Sequence, residues 1–202
     1  MLLAGLSLVA NVVAATPIAS TPWFTFDDYP MKAFEKHWEG VTGIELLVSP
    51  DGSVASCTVT QPSGHAVLDE ETCKLARIRG RFQPARGPNG EAVYGVYKSH
   101  VTWAMPGHSL NAASAADLEV SLNRLPAGTT QPAAVAVAYA LDAQGHASGC
   151  AAMPDSPKQP DILVQLGCKQ LIAKDAGAPV TGPSGAPVPA VKTGAVEFTS
   201  GR

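Results

Sequence analysis

The sequence predicts an α+β protein made of two successive units, each a three-stranded antiparallel sheet with helices on one face. Three observations lead there. Four cysteines fall in two similarly spaced pairs, short runs of alternating apolar residues are separated by Pro/Gly turns, and one part of the chain repeats another. At an offset of 93, Ile44, Leu46 and Val48 align with Val137, Tyr139 and Leu141, Gly52 with Gly145, and Cys57 with Cys150. At an offset of 95, Cys73 meets Cys168, Pro84 meets Pro179, Gly90 meets Gly185, Val93 meets Val188, Val101 meets Val196 and Trp103 meets Phe198. A fixed period of this kind is the mark of a repeated supersecondary unit.

Residues 1–19 form an apolar N-terminal segment. It is too short to span a bilayer, which takes about 20 residues. It fits the h-region of a secretory signal ending at Val13-Ala14-Ala15. No Lys or Arg precedes Lys32, so a buried N-terminal helix and a start placed too late stand as the other readings. The cysteines favour export.

The first unit covers residues 20–105. Pro30 suits a helix start, and Ala33, Phe34, His37 and Trp38 would share one face of that helix. Thr42, Ile44, Leu46 and Val48 then alternate with Gly43, Glu45 and Leu47, the period of a half-buried strand. Ser49-Pro50-Asp51-Gly52 is a turn, because Pro presets one φ and Gly accepts a positive one. Residues 54–60 return as a second strand, antiparallel to the first, and Gln61-Pro62-Ser63-Gly64 ends it. Leu68, Thr72, Leu75 and Arg79 lie on one helical stripe that Phe82 extends. Gly87-Pro88-Asn89-Gly90 turns the chain into the last strand, residues 93–103.

Residues 106–131 read as a linker, with a short helix over 112–122 carrying Ala115, Leu118 and Leu122 at helical spacing. The second unit covers residues 132–202, with its helix at 162–173 and its last strand at 188–198. The units are expected as two separate sheets, with Trp103 lying over Phe198 on superposition. A core this thin gains from a covalent staple.

Composition narrows the function classes. Apolar residues make up 46% of the chain and charged residues 15%, as in a folded globular protein rather than a disordered one. The net charge is −3 with no Lys/Arg block, so nucleic acid is not an expected partner.

An even cysteine count in an exported chain reads as disulfides. Of the three possible pairings, the repeat selects Cys57 with Cys73 and Cys150 with Cys168. No Cys-x-x-Cys stands in the sequence to support redox catalysis, and the spacing within each pair exceeds that of zinc ligands. His37, His65, His100, His108 and His146 form no ligand motif. Asp69, Glu70 and Glu71 sit in the first turn of a helix, where the dipole favours them. Ser63-Gly64 and Ser184-Gly185 lack a nucleophile elbow. No catalytic residue, cofactor or metal is therefore expected. The aromatic set Trp23, Phe24, Phe26 and Tyr29 reads as a staple holding the N-terminal arm to the core.

Tyr29-Pro30, Gly40, Pro50-Asp51-Gly52, Ser63-Gly64, Leu68-Asp69 and Arg81-Phe82-Gln83-Pro84-Ala85 occur in this order and spacing. The set resembles the TonB C-terminal domain, over Tyr29 to Trp103. The second unit keeps the strands, turns and cysteines but lacks Tyr-Pro, Leu-Asp and Phe-x-Pro-Ala, as in a diverged copy. The resemblance implies a periplasmic protein of a Gram-negative bacterium. Members carry energy from an inner-membrane motor to outer-membrane transporters. Their last strand takes up an extended transporter segment by β-augmentation, the addition of a peptide to an exposed sheet edge.

Carried over, the partner-binding edge is Val96, Tyr97, Lys98, Ser99, His100, Val101 and Thr102, and the partner is a protein or peptide, an outer-membrane transporter among the candidates. Two departures favour a periplasmic binding module over an energy transducer. Residues 16–28 leave no room for a Pro-rich spacer after a leader, and Phe26-Asp27-Asp28 stands where transducers tend to carry Gln. A transducer whose anchor lies upstream of a misplaced start is the second reading. An enzyme would need a convergent Ser/His/Asp or metal cluster. The third strand should pair with the first, with Lys98, His100 and Thr102 toward solvent and Tyr97, Ser99, Val101 and Trp103 toward the helices. Lys98 guards this edge against unwanted pairing. In the second unit Lys192 is a weaker guard, and Pro187 and Pro189 shorten the strand.

Overall fold

The computed structural model describes residues 12–18, 22–111 and 116–200. In chain order its elements are β1 (Thr16–Pro17), a 3-10 turn (Phe26–Asp28), α1 (Met31–Glu35), β2 (Gly40–Val48), β3 (Val54–Gln61), α2 (Ala66–Arg79), β4 (Phe82–Gln83), β5 (Ala85–Arg86) and β6 (Ala92–Trp103). There follow β7 (Leu118–Leu122), β8 (Ala134–Leu141), β9 (Ala147–Ala152), α3 (Asp161–Lys174), β10 (Val180–Thr181), β11 (Pro187–Val188) and β12 (Ala190–Ser200). The chain is a mixed α+β protein. Among the described residues no helix is long and apolar enough to cross a membrane.

The first half is organised by the alternation seen in β2. Ile44, Leu46 and Val48 are buried on the face that α2 covers. β3 returns antiparallel through a turn in which Gly52 takes φ +84°. A side chain there would be strained, and its Cβ would lie 2.2 Å from the Phe82 carbonyl oxygen. Leu68, Thr72, Cys73, Leu75 and Ala76 make the buried stripe of α2 at helical spacing. The buried Thr72 hydroxyl donates to the Leu68 carbonyl at 2.8 Å and accepts the Trp103 indole N–H at 2.8 Å, which locks the end of β6 to the helix. Asp69, explained from sequence by the helix dipole alone, also accepts from the Thr42 hydroxyl and the Ser63 N–H, both at 2.9 Å. It thereby joins β2 to the loop that enters α2.

Cys57 on β3 bonds Cys73 on α2, with Cα atoms 5.5 Å apart. Cys150 on β9 bonds Cys168 on α3 across 6.0 Å. Each bridge ties a strand to the helix packed on it.

The expected pair of separate sheets is corrected. Eight strands form one sheet, in the order β3-β2-β6-β12-β8-β9, with β5 pairing β6 and β7 pairing β12. The join is short and parallel, Tyr94 with Ala190 and Gly95 with Val191. It arises because each of the two long strands β6 and β12 has one edge left over after pairing its neighbour β2 or β8. The helices lie on opposite faces of this sheet. Ala190 shares a face of β12 with Gly194, which lies against Leu171 of α3. Its register partner Tyr94 is on the face of β6 opposite Tyr97 and Trp103, the pair turned toward α2.

Three further expectations change. Leu118–Leu122 is a strand parallel to β12, not a helix; Leu118, Val120 and Leu122 are half-buried and alternate with exposed Glu119 and Ser121, a period of two that outweighs the spacing of three and four. Residues 112–115 of that expected helix lie outside the described residues. α1 ends at Glu35, so His37, at φ +52°, and Trp38 both lie beyond the helix and not on a face shared with Ala33 and Phe34. Of the N-terminal apolar segment, residues 1–11 and 19 lie outside the described residues. Residues 12–18 are extended rather than helical, with Val12, Ala14 and Ala15 buried.

Replacing Cys57 and Cys73 together by Ser should lower the unfolding free energy by about 3 kcal/mol, the chain-entropy value for a loop of this length. Urea unfolding under non-reducing conditions measures it, and reductant, which opens both bridges, should lower the midpoint of the unaltered protein at least as far.

Candidate functional site

β6 is the longest strand, and its two edges are occupied differently. One edge runs along β2 from Gly95–Val48 to Trp103–Gly40. Elsewhere β5 takes up Ala92 and Val93, and β12 takes up Tyr94 and Gly95. Past Gly95 no described strand pairs with the second edge. Of the seven residues singled out from sequence, Val96 and Val101 are buried, Tyr97 and Ser99 are half-buried, and Lys98, His100 and Thr102 are exposed. The end of the strand is tied back to the start of β2: the Met105 N–H donates to Glu39 at 2.5 Å, and His108 Nδ1 lies 3.0 Å from the same carboxylate.

β12 leaves β6 because another segment takes its edge. The Asp117 N–H donates to the Ala195 carbonyl, and Asp117 Oδ2 accepts the Ala195 N–H, both at 2.8 Å. β7 continues this pairing from Leu118–Val196 to Leu122–Ser200. Asp117 Oδ1 also accepts from Lys98 Nζ at 2.5 Å. Burial pushes the Asp117 carboxyl up, but the Lys98 ammonium and the Ala195 N–H outweigh it and hold it below the ordinary value. Lys98, expected as a free guard, is thus a clasp between the halves. Lys192 likewise faces α3 and not an edge: it lies 2.5 Å from Asp175, which accepts the Tyr139 hydroxyl. Burial and that carboxylate raise the Tyr139 hydroxyl.

A groove of 410 Å³ runs beside the unpaired edge. Pro17, Ile18, Trp23 and Phe24 wall one side, and Tyr97 with residues 99–102 forms the other. A neighbouring hollow of 260 Å³ lies between residues 24–26, Tyr29 and residues 101–104. The aromatic arm is packed as a staple: Trp23 stands 5.0 Å from Phe82 and 6.3 Å from Tyr97, and Tyr29 lies 5.4 Å from Trp103, all as tilted or edge contacts. Arg79 holds the arm from outside the core, forking to both Asp28 oxygens at 2.6 and 2.7 Å and donating to the Trp23 carbonyl at 3.1 Å. The Arg79 guanidinium brings the Asp28 carboxyl down to about 2.

His65 stacks on Trp38 with centroids 4.7 Å apart, and His146 Nδ1 lies 3.3 Å from Asp142. Among the described residues no group of three or more His, Cys, Asp or Glu side chains could hold a metal ion. Arg79–Asp28 and Asp117–Lys98 escaped sequence reading. The first joins residues 51 apart, and the second starts in a stretch read as a linker, so neither leaves a local pattern.

Within the first half, β3, β2 and β6 form an antiparallel group covered by α2, and among the described strands none pairs with the second edge of β6 past Gly95. The family model of the Gram-negative bacterial TonB protein C-terminal matches residues 27–105, the stretch from the 3-10 turn through β6. No curated protein matches the chain.

Asp28 is lowered in the folded state, so its contribution is present above the unfolded value near 3.8 and is lost as pH falls through about 2. The stability difference between the unaltered protein and Asp28→Asn should therefore be full above pH 4 and close between pH 4 and 2. Acid titration followed by tryptophan fluorescence and urea midpoints checks this.

Proposed function

We propose that the chain is a protein-binding module of the Gram-negative periplasm that takes up an extended segment of a partner along residues 96–102 of β6. The observation that carries this reading is the unpaired backbone edge beside an aromatic groove, within the stretch similar to the TonB C-terminal domain. Unpaired N–H and C=O groups on a sheet edge are a template for another strand. Main-chain hydrogen bonds supply affinity, and pockets for alternate side chains supply specificity. A docked segment would send every second side chain toward Trp23, Phe24 and Tyr97, and the others toward His100 and Thr102.

In this reading the partner is a segment of an envelope protein, with an outer-membrane transporter the leading candidate. The second half is a diverged copy of the first. Asp117 and β7, in the segment between the two halves, keep β12 off the docking edge, and the last strand of the second half is thereby occupied.

The test is binding of labelled peptides taken from the periplasmic N-terminal segments of outer-membrane transporters, measured by fluorescence anisotropy. Dissociation constants in the micromolar range are expected. Ser99→Pro and His100→Pro make an internal control. Successive N–H groups in a strand point to opposite edges, so one variant removes a donor from the open edge and the other from the β2 ladder. The variant that keeps its urea midpoint should lose peptide binding at least tenfold. If that variant binds as well as the unaltered protein, the edge is not the docking site.

A further inference from the structure

A second edge of the first half is already filled by the chain's own N-terminal segment. The Val13 N–H donates to the Arg86 carbonyl at 3.0 Å, the Arg86 N–H donates back to the Val13 carbonyl at 2.9 Å, and the Ile18 N–H donates to the Arg81 carbonyl at 2.8 Å. Between these bonds Thr16 pairs with Gln83 and Pro17 with Phe82, antiparallel. Residues 12–18 therefore lie as an added strand along 81–86. Val12, Ala14 and Ala15 are buried in the same core cluster as Phe82, Ala85 and Val93, while Val13 is 47% exposed. The fit beneath them requires small side chains. A Cβ on Gly95 would lie 2.6 Å from the Ala15 Cβ and 3.1 Å from the Ala85 Cβ, so Ala15 sits directly on a bare stretch of β6.

From this geometry we infer that residues 81–86 with Gly95 form a second strand-accepting groove, distinct from the edge at 96–102, and that residues 12–18 are its resident donor strand. Two consequences follow from the contacts. The segment belongs to the folded protein, because a cut at Val13-Ala14-Ala15 would strip the groove of the Val13 bonds and of buried Val12 and Ala14. The groove also has a defined chemistry: it accepts an extended segment with Ala at two successive buried positions, 14 and 15, and rejects a larger side chain at 15, over Gly95. The occupant is this chain's own segment, in cis. The same segment from outside can enter only when the resident strand is released.

The test uses the full chain with a protease recognition sequence inserted between Ile18 and Pro22. After cutting, the N-terminal piece should stay with the protein through size-exclusion chromatography. A labelled peptide of residues 12–18 should then exchange into the cut protein and bind the uncut chain at least tenfold more weakly. The same peptide carrying Ala15→Leu should bind the cut protein at least tenfold more weakly than the parent peptide. In the uncut chain, Ala15→Leu should raise amide exchange at Val13 and Ile18 at least tenfold and leave α3 unchanged. Release of the N-terminal piece with no change in melting temperature and no peptide uptake would overturn the inference. So would equal binding of the Ala15→Leu peptide.

Discussion

The architecture depends on two rungs of parallel pairing, Tyr94 with Ala190 and Gly95 with Val191. They fuse two three-stranded groups into one sheet. Because Tyr94 and Ala190 share a face, the join also inverts one half relative to the other, which puts α2 and α3 on opposite sides. The inversion uses surface that would otherwise be left open. The back of the second half, with Ala138, Ala140 and Val191, falls into the core cluster beneath the first half's coverings. The back of the first half, at Leu47 and Val96, lines a shallow hollow together with the segment around Val180. Each half has a thin core for its length, and the shared cover is how both bury a second face.

The shortness of the join matters as much as its presence. Had β12 continued along β6, residues 96–102 would be an interior ladder with nothing to offer a partner. Asp117 stops this by satisfying both backbone groups of Ala195, and its carboxylate takes the Lys98 ammonium as well. One side chain thus closes the edge of β12 and leaves that of β6 unpaired. On the other face the arm from Trp23 to Tyr29, fixed by Arg79 and Asp28, gives the unpaired edge an aromatic wall. The Asp28 carboxylate is ionised at neutral pH, so its pairing with Arg79 is present there.

What could be read from sequence was what repeats locally. The alternation in β2, the stripe of α2 and the Pro/Gly turns each carry their signal within a dozen residues or so of themselves, and the cysteine pairing follows from the repeat. The parallel join could not be read, since Tyr94 and Gly95 meet Ala190 and Val191 through backbone groups that every residue has. β7 was misread because Leu118 and Leu122 satisfy helical and strand spacing together, and only Glu119 and Ser121 between them break the tie. The role of residues 12–18 was hidden by composition: small apolar residues suit a leader and a tight strand-on-sheet contact equally, and Gly95, the partner that decides, lies 80 positions away. At the site, the outward set on β6 followed from alternation. Asp28 and Asp117 depend on ion pairs between distant segments.

The contrast between the ladders on the two sides of β6 has a mechanical meaning. Nine register pairs hold β6 to β2, and two hold it to β12. Force applied along β6 by anything hydrogen-bonded beside it would load the β2 ladder in shear, with all of its bonds sharing the strain at once. Force applied across the sheet would meet the two-rung seam first and open it one bond at a time. The backbone ladder is therefore strong along the strands and short at the seam, where the Lys98–Asp117 pair and the shared core around Ala138, Ala140 and Val191 carry the rest of the join.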